Sequence, residues 1–227
     1  MKWTNEATGR TIEIYNEDCM PALSKMHENE FELAIVDPPY GIGINKQSLG
    51  EGGELYRQPK TYKRGDWDNN IPTEKYFIEL QRCTQNQIIW GANHYISKIP
   101  YDSSCWIVWD KNNGATDFAD CELAWTSFKS PVRKYKYTWS GFVQQKMGKD
   151  KESKIHPTQK PVALYKWLLK NYAKENDRIL DTHLGSGSIA IACWEMGFDL
   201  VGYELDTDYF EATCKRLNDH FNQQTLF

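Results

Sequence analysis

An acid, two prolines and a tyrosine stand together at Asp37-Pro38-Pro39-Tyr40, directly after the apolar run 31–36. Proline fixes φ at about −65° and lacks a backbone N–H, so the carbonyl groups here can point outward as acceptors. A carboxylate beside such a carbonyl can accept both hydrogens of an amino group, and the tyrosine can stack on the flat ring that carries the amine. An ordinary turn is the alternative, since aspartate and proline both favour turns. The tetrapeptide alone leaves both interpretations open.

A second group of residues, 181–190, follows a short apolar strand and opens a helix. Gly185 and Gly187 let the backbone turn tightly and approach a ligand, while free amides at the helix start attract a negative group. Glu204 ends the next strand, where a carboxylate can accept both hydroxyls of a ribose. Tight strand-to-helix turns are common, but the strand, helix and acid together favour a nucleotide-type cofactor.

Two polar segments are candidates for contact with nucleic acid. Residues 129–154 contain eight cations and two acids, with aromatic side chains between them, and cations at such a surface neutralise phosphates. A solvated charged loop is the alternative. The second segment, 41–70, is rich in Gly, Asn, Gln and charge, and reads as a long surface loop. The candidate contacts are Arg133, Lys134, Lys136, Tyr137 and Trp139 in the first segment, and Arg57, Lys60, Lys63 and Arg64 in the second.

Hydrophobic periodicity predicts the elements that must position these groups. Strands are expected at 11–15, 31–36, 87–90, 105–109, 121–127, 178–180 and 199–203, and helices at 71–84, 188–196 and 207–221. A short helix should follow residue 16, and Thr158 should cap a further helix that has Pro161 in its first turn. Strands that alternate with helices favour an α/β fold with a doubly wound, mostly parallel sheet.

Bulk properties restrict the class of protein. The 227 residues suit one α/β domain, and a net charge of −4 excludes a polycation that coats DNA through its whole surface. Six scattered cysteines predict free thiols, and neither they nor the five dispersed histidines have metal-ligand spacing. No signal peptide or membrane span is evident, so a cytoplasmic protein without metal or membrane contact is expected.

Taken together, these motifs resemble the S-adenosylmethionine-dependent DNA amino methyltransferases, the adenine-N6 and cytosine-N4 family. The resemblance rests on Asp37-Pro38-Pro39-Tyr40, on residues 156–161 (His-Pro-Thr-Gln-Lys-Pro), and on the 181–188 loop with Glu204. Residues 16–19, 88–93 and 109–111 support it. The motifs run in the family's circularly permuted order, with the catalytic half first. This implies a Rossmann-like fold in a single domain, 1–227, with a mobile DNA-facing loop at 41–70 and a small target-recognition insertion at 129–155.

The resemblance also implies a reaction. The implied reaction transfers a methyl group from S-adenosylmethionine to the amine of a flipped-out adenine in double-stranded DNA and leaves S-adenosylhomocysteine. Its catalytic residues would be Asp37, Pro38, Pro39 and Tyr40. It places Asp18 on the cofactor's adenine, Glu204 on its ribose, and Thr158, Lys160 and Ser186 near its methionine carboxylate. The full cofactor set is Asp18, Cys19, Asp37, Thr158, Lys160, Asp181, His183, Gly185, Ser186, Gly187 and Glu204.

Two residues of the glycine loop differ from the family pattern, and the substrate and partners have more than one interpretation. The family usually has phenylalanine where His183 stands and commonly proline at Thr182. An imidazole can still lie flat against the cofactor. Aspartate at position 37 favours adenine as the substrate, whereas cytosine-N4 enzymes more often have serine there. The alternative functions are cytosine-N4 methylation and DNA binding by a catalytically inactive relative. A second copy of the chain and a cognate restriction nuclease are candidate partners, in a bacterium or the bacterial host of a phage.

Overall fold

A nine-stranded mixed sheet forms the centre of the molecule. The computed structural model describes residues 1–43, 71–114, 119–140 and 143–224. The sheet strands are β1 (Lys2–Thr4), β2 (Thr11–Tyr15), β3 (Phe31–Val36), β4 (Thr84–Trp90), β5 (Trp106–Asp110), β6 (Cys121–Thr126), β7 (Arg133–Lys136), β10 (Arg178–Asp181) and β11 (Asp199–Tyr203). Their order is β1-β2-β11-β10-β3-β4-β6-β5-β7, and β8 (Trp139–Ser140) and β9 (Val143–Gln144) form a separate hairpin.

Helices cover both faces of this sheet. They are α1 (Cys19–Leu23), α2 (Glu74–Cys83), α3 (Val162–Tyr172), α4 (Ser188–Met196) and α5 (Thr207–Gln224). One apolar cluster joins α3, α4 and α5 to side chains such as Ile14, Ile35 and Trp90. A second cluster joins α1 and α2 to the opposite face, with Val36 and Ile89 among its members. The three layers confirm the expected α/β fold.

The central strands β2, β11, β10, β3 and β4 are all parallel, so their carboxyl ends lie along one edge. Strand β3 pairs with β10 although a long stretch of sequence separates them. Chain order reverses between these two strands, which makes their carboxyl ends the switch point where ligands of open α/β sheets bind. Asp37 follows β3 and Asp181 ends β10, so both carboxylates lie at this switch point.

Several boundaries differ from the sequence predictions. Helix α3 begins at Val162 with Pro161 as its N-cap, so the prediction that Thr158 caps it is wrong. Strand β1 was missed because three residues carry too little periodicity, and it pairs antiparallel with β2. Strand β7 lies within the segment expected to be an insertion, yet it forms an edge of the main sheet, parallel to β5. The predicted DNA contacts Arg57, Lys60, Lys63 and Arg64 lie outside the described residues.

Other predictions agree with the structure. Helix α4 has the predicted bounds and ends at Gly197, whose φ of 76° is the left-handed conformation that glycine adopts at low cost. All six cysteines are free thiols. Among the described helices, none has an apolar stretch long enough to cross a bilayer.

Candidate active site

The Asp37 carboxylate lies at the carboxyl edge of the sheet with both oxygens engaged. Tyr40 donates its hydroxyl proton to Oδ1 at 2.6 Å, and the Lys160 ammonium donates to Oδ2 at 2.5 Å. The Asp37 side chain is 17% exposed. Burial raises the pKa of Asp37, and the neighbouring Lys160 charge opposes that rise. The carboxylate is therefore a hydrogen-bond acceptor in a largely dry position.

Lys160 continues a chain of alternating charges away from Asp37. Its Nζ lies 3.0 Å from Oε2 of Glu122, and the other Glu122 oxygen lies 2.5 Å from Nζ of Lys111. Burial opposes the charge on Glu122, but the two lysines outweigh it and lower its pKa to about 2. The Lys160 ammonium thus pairs with Asp37 and Glu122, and its place beside the cofactor's methionine carboxylate stays a prediction. Glu122 on β6 and Lys111 directly after β5 were missed as site residues, because only the pairing of β6 with β4 and β5 brings them to Lys160.

The Tyr40 ring is fixed by two neighbours. It stacks on His94, with ring centroids 5.0 Å apart and planes 13° from parallel. On another side the ring touches Gly91, where an added Cβ would come within 2.1 Å of a ring carbon. Gly91 follows β4 with φ +67°. The ring of Tyr40 thus depends on a glycine and a histidine that the motif itself does not contain.

The glycine loop after β10 is held from two directions. The Gly185 amide donates to Oε2 of Glu204 at 2.8 Å, and the Gly185 carbonyl accepts from Thr213 of α5 at 2.6 Å. Arg216, also on α5, donates to the Ser186 carbonyl at 2.8 Å. Gly187 begins α4 in the left-handed conformation, φ +68°, and an added Cβ would meet the Thr213 methyl at 2.6 Å. The loop is preorganised, and glycine is required at its turn.

Two carboxyl groups beside this loop resist ionisation. Burial raises the pKa of Asp181 to about 8, although the His183 amide donates to its Oδ1 at 3.0 Å and favours the charge. Burial likewise raises the pKa of Glu204 to about 7, against the amides of Asp206 and Gly185. Positive charge brought close to these groups would favour their ionised forms.

His183 and Thr182 are joined to a residue of α2. Tyr76 and Thr182 share a hydrogen bond of 2.6 Å between hydroxyls, and Thr182 Oγ1 lies 2.9 Å from His183 Nδ1. The Tyr76 ring also meets the His183 ring edge-on at 5.4 Å. Burial lowers the pKa of His183 to about 4, so the imidazole is neutral at pH 7. The polar pair that replaces Pro-Phe therefore has its own hydrogen-bond partner, Tyr76.

The other predicted cofactor residues surround the same edge. Asp18 caps α1 by accepting from the Met20 amide at 2.9 Å, and Cys19 is buried beside it. Oγ1 of Thr158 lies 3.0 Å from Nδ1 of His156. The His156 ring packs on Tyr209 of α5, with centroids 4.2 Å apart. An added Cβ at Gly185 would lie 4.0 Å from the His156 ring, so the segment 156–160 lies beside the glycine loop.

The basic segment contains exposed cations on β7 and a buried tryptophan. Arg133, Lys134 and Lys136 are exposed on β7, and Lys134 has a 3.5 Å ion pair with Asp110. Tyr137 is half-buried and stacks on Tyr135. Trp139 is 5% exposed and donates its indole N–H to the Gln159 carbonyl at 2.8 Å, so the prediction that it contacts DNA is wrong. An aromatic residue in a basic run looks like a stacking residue in sequence even when it belongs to the core.

Comparison with known proteins decides the family. The family model described as DNA methylase (N6_N4_Mtase) matches residues 85–215, more than half of the chain. The chain belongs to the N6/N4 family of DNA amino methyltransferases. Type II methyltransferase M2.LlaDCHI from Lactococcus lactis subsp. cremoris is 24% identical over 246 residues, which cover 90% of this chain and 88% of the relative.

Solved structures agree with the methyltransferase fold. The M1.HpyAVI–SAM complex is similar with a TM-score of 0.56 and 20% identity, covering 90% of this chain and 99% of the other. The PvuII DNA methyltransferase, described as cytosine-N4-specific, has a TM-score of 0.58 at 11% identity, with 93% and 92% covered. At these identities the likeness concerns the fold, and it does not select adenine or cytosine.

Proposed function

We propose that this N6/N4 methyltransferase transfers a methyl group from S-adenosylmethionine to the exocyclic amine of a flipped-out adenine in DNA. One observation carries the proposal: the Asp37 carboxylate lies at the switch point, beside the glycine loop that ends β10. An acceptor for an amine and a loop suited to a cofactor therefore lie side by side. Aspartate at this position of the motif supports adenine over cytosine.

The residues present fit the cofactor. Gly185 and Gly187 have no side chain that would keep a ligand away from the backbone. A cationic ligand would stabilise the ionised forms of Asp181 and Glu204. We assign the cofactor to the edge formed by Asp18, Cys19, Asp37, Thr158, Lys160, Asp181, His183, Gly185, Ser186, Gly187 and Glu204. When bound, S-adenosylmethionine supplies an electrophilic methyl group on its sulfonium.

The chain's own part is to hold the amine. Hydrogen bonds from the amine to Asp37 and to the Pro38 carbonyl would favour a tetrahedral nitrogen, whose lone pair can then attack. The Asp37 motif positions the acceptor and does not need to be a strong base, since the proton leaves with or after methyl transfer. Tyr40 would be the platform for the flipped base, which would take the place of His94 on the face of its ring, because an unstacked base must be held by an aromatic surface.

DNA contact is assigned to the cationic edge strand. Arg133, Lys134 and Lys136 point cations at solvent from β7, and β7 runs parallel to β5 at the end of the sheet away from the cofactor residues. Phosphate contacts of this kind orient a duplex without reading its sequence. The loop at 41–70, a cognate nuclease, a second copy of the chain and a cytoplasmic location remain predictions.

The test is direct. Purified protein is incubated with methyl-labelled S-adenosylmethionine and unmethylated genomic DNA, and the labelled nucleoside is identified by mass spectrometry. Methylated adenine is expected; methylated cytosine would replace the adenine assignment by the N4 reaction, and no label would favour an inactive DNA-binding relative. Asp37→Ala should abolish transfer while DNA binding survives, and persistent methylation in that variant would refute the role of Asp37.

A further inference from the structure

We propose that Glu122 is a positioning residue that takes the Lys160 ammonium from Asp37 when the target amine binds there. This inference rests on the proposed function, because it concerns how Asp37 becomes available to an amino group. Glu122 lies on β6, outside the motifs that identify the family.

In the structure the target amine has a competitor. Both Asp37 oxygens are engaged, Oδ2 by Lys160 at 2.5 Å and Oδ1 by Tyr40 at 2.6 Å. A hydrogen bond from a cation is roughly twice as strong as one from a neutral amine. A neutral amino group therefore cannot displace Lys160 unless the ammonium has another carboxylate to occupy.

Glu122 is that second carboxylate. Its Oε2 lies 3.0 Å from Lys160 Nζ, so the ammonium can release Asp37 and still keep a counter-charge. The Lys160 side chain is only 3% exposed, and an ammonium left unpaired at that depth would be strongly unfavourable. Lys111, 2.5 Å from the other oxygen, keeps Glu122 ionised and ready to accept.

The sheet and two aromatic rings confine the movement. Strand β6 is antiparallel to β4, so Glu122 at its beginning lies at the edge where the parallel strands end. The rings of Tyr40 and Trp90 lie 5.6 and 5.4 Å from Lys160 Nζ. Cations are attracted to such faces, which gives the ammonium a short path between the two carboxylates. The charged or titratable groups that influence Asp37 are Lys160, Glu122, Tyr40, Tyr95, Tyr165 and Asp181.

Glu122→Gln keeps the shape of the side chain and removes its charge. With saturating labelled cofactor and unmethylated genomic DNA, we expect kcat/KM for DNA to fall about tenfold or more, because Lys160 stays on Asp37. The ascending limb of the pH profile should move to lower pH, since the remaining cation stabilises the Asp37 carboxylate. Lys160→Met should move that limb to higher pH, and in the Glu122→Gln background it should raise kcat/KM instead of lowering it further.

Glu195→Gln is the matched control, because Glu195 also pairs with two basic groups, Lys166 and His220, and its side chain is 20% exposed. A loss of stability alone would affect both variants and leave the pH limb in place. NMR of the lysine ammonium groups in the cofactor-free protein gives a second readout. The Lys160 signal is assigned as the one that disappears in Lys160→Met, and its chemical shift should change in Glu122→Gln.

The outcomes separate the two proposals. If the wild type methylates DNA and Glu122→Gln behaves like Glu195→Gln in rate, pH profile and ammonium signal, the role of Glu122 is refuted while the proposed function stands. The role of Glu122 would also be refuted if kcat/KM is lower in the double variant than in Glu122→Gln alone. If the wild type labels no nucleoside, both proposals fail together. Should Glu122→Gln not fold, Glu122→Asp is measured in the same way, because it keeps the charge but draws it back from Lys160; kcat/KM and a pH limb equal to those of the wild type would overturn the inference.

Discussion

Gly91 should be essential for the position of the Tyr40 ring. In Gly91→Ala the new Cβ would lie 2.1 to 2.5 Å from three ring atoms of Tyr40, far inside van der Waals contact. A left-handed residue with a side chain adds a backbone cost of about 1–2 kcal/mol, and overpacking adds about 1–3 kcal/mol. We expect the free energy of unfolding to fall by about 2–5 kcal/mol.

The effect on methyl transfer should exceed the effect on stability. Relieving the overlap requires the ring to move by about 1 Å, a displacement that can reduce a rate about 100-fold. Gly9→Ala is the control, because Gly9 has φ +70° and no described atom within 4 Å of an added Cβ. Urea denaturation and kcat are measured for both variants, at a temperature where each is folded.

A double-mutant cycle isolates the contact. In a Tyr40→Ala background, Gly91→Ala should cost only the backbone strain that Gly9→Ala shows, because the ring is no longer there. If Gly91→Ala and Gly9→Ala cost the same in the intact chain, or if kcat is unchanged, the ring does not depend on Gly91 and the reasoning is wrong.

Three further predictions concern stability and the cofactor edge. Trp139→Ala should lower the free energy of unfolding by about 3–5 kcal/mol, as expected for a buried indole, whereas Lys134→Ala should leave it nearly unchanged and reduce the salt dependence of DNA binding. The pKa of Asp181 is about 8 in the folded chain against a usual 3.8, so the folded chain holds the extra proton between these values. Below about pH 4 this proton makes its full contribution to the free energy of unfolding, and the contribution is lost as pH rises to about 8, by at most about 1.4 kcal/mol per pH unit. Asp181→Asn should remove this pH dependence of the free energy of unfolding, measured by urea denaturation. Tyr76→Phe removes the hydrogen bond to Thr182 and should cost about 1 kcal/mol of stability and weaken cofactor binding measured by calorimetry; unchanged binding would separate this hydrogen bond from the cofactor site.

Sequence alone predicted most of the sheet because its signals are local. The continuous apolar run 31–36 and the helix between Gly187 and Gly197 need no knowledge of distant residues, and both have the predicted bounds. Thr158 failed as a helix cap because a second start signal, Pro161, lies three residues later and was the one used. Two competing local signals cannot be ranked without the packing around them.

The geometry within the site could not be predicted in the same way. Glu122 reaches Lys160 only because β6 pairs antiparallel with β4, a choice made by the whole sheet. Tyr76 reaches Thr182 from a helix a hundred residues earlier in the chain. Motifs name the residues that meet a ligand, but their hydrogen-bond partners come from elsewhere in the chain and follow no fixed spacing.

Charge is distributed unevenly along the sheet of this chain, whose net charge is −4. At the carboxyl edge, Asp18, Glu204, Asp181 and Asp37 follow the four adjacent strands β2, β11, β10 and β3 in that order. The exposed cations of β7 lie at the far side of the same sheet. Acidic side chains therefore lie at one side of the sheet and exposed cations at the other, with Glu122 of β6 and Asp110 of β5 between them. The net charge of the chain therefore does not describe the charge at any one part of the sheet, which depends on the order of the strands.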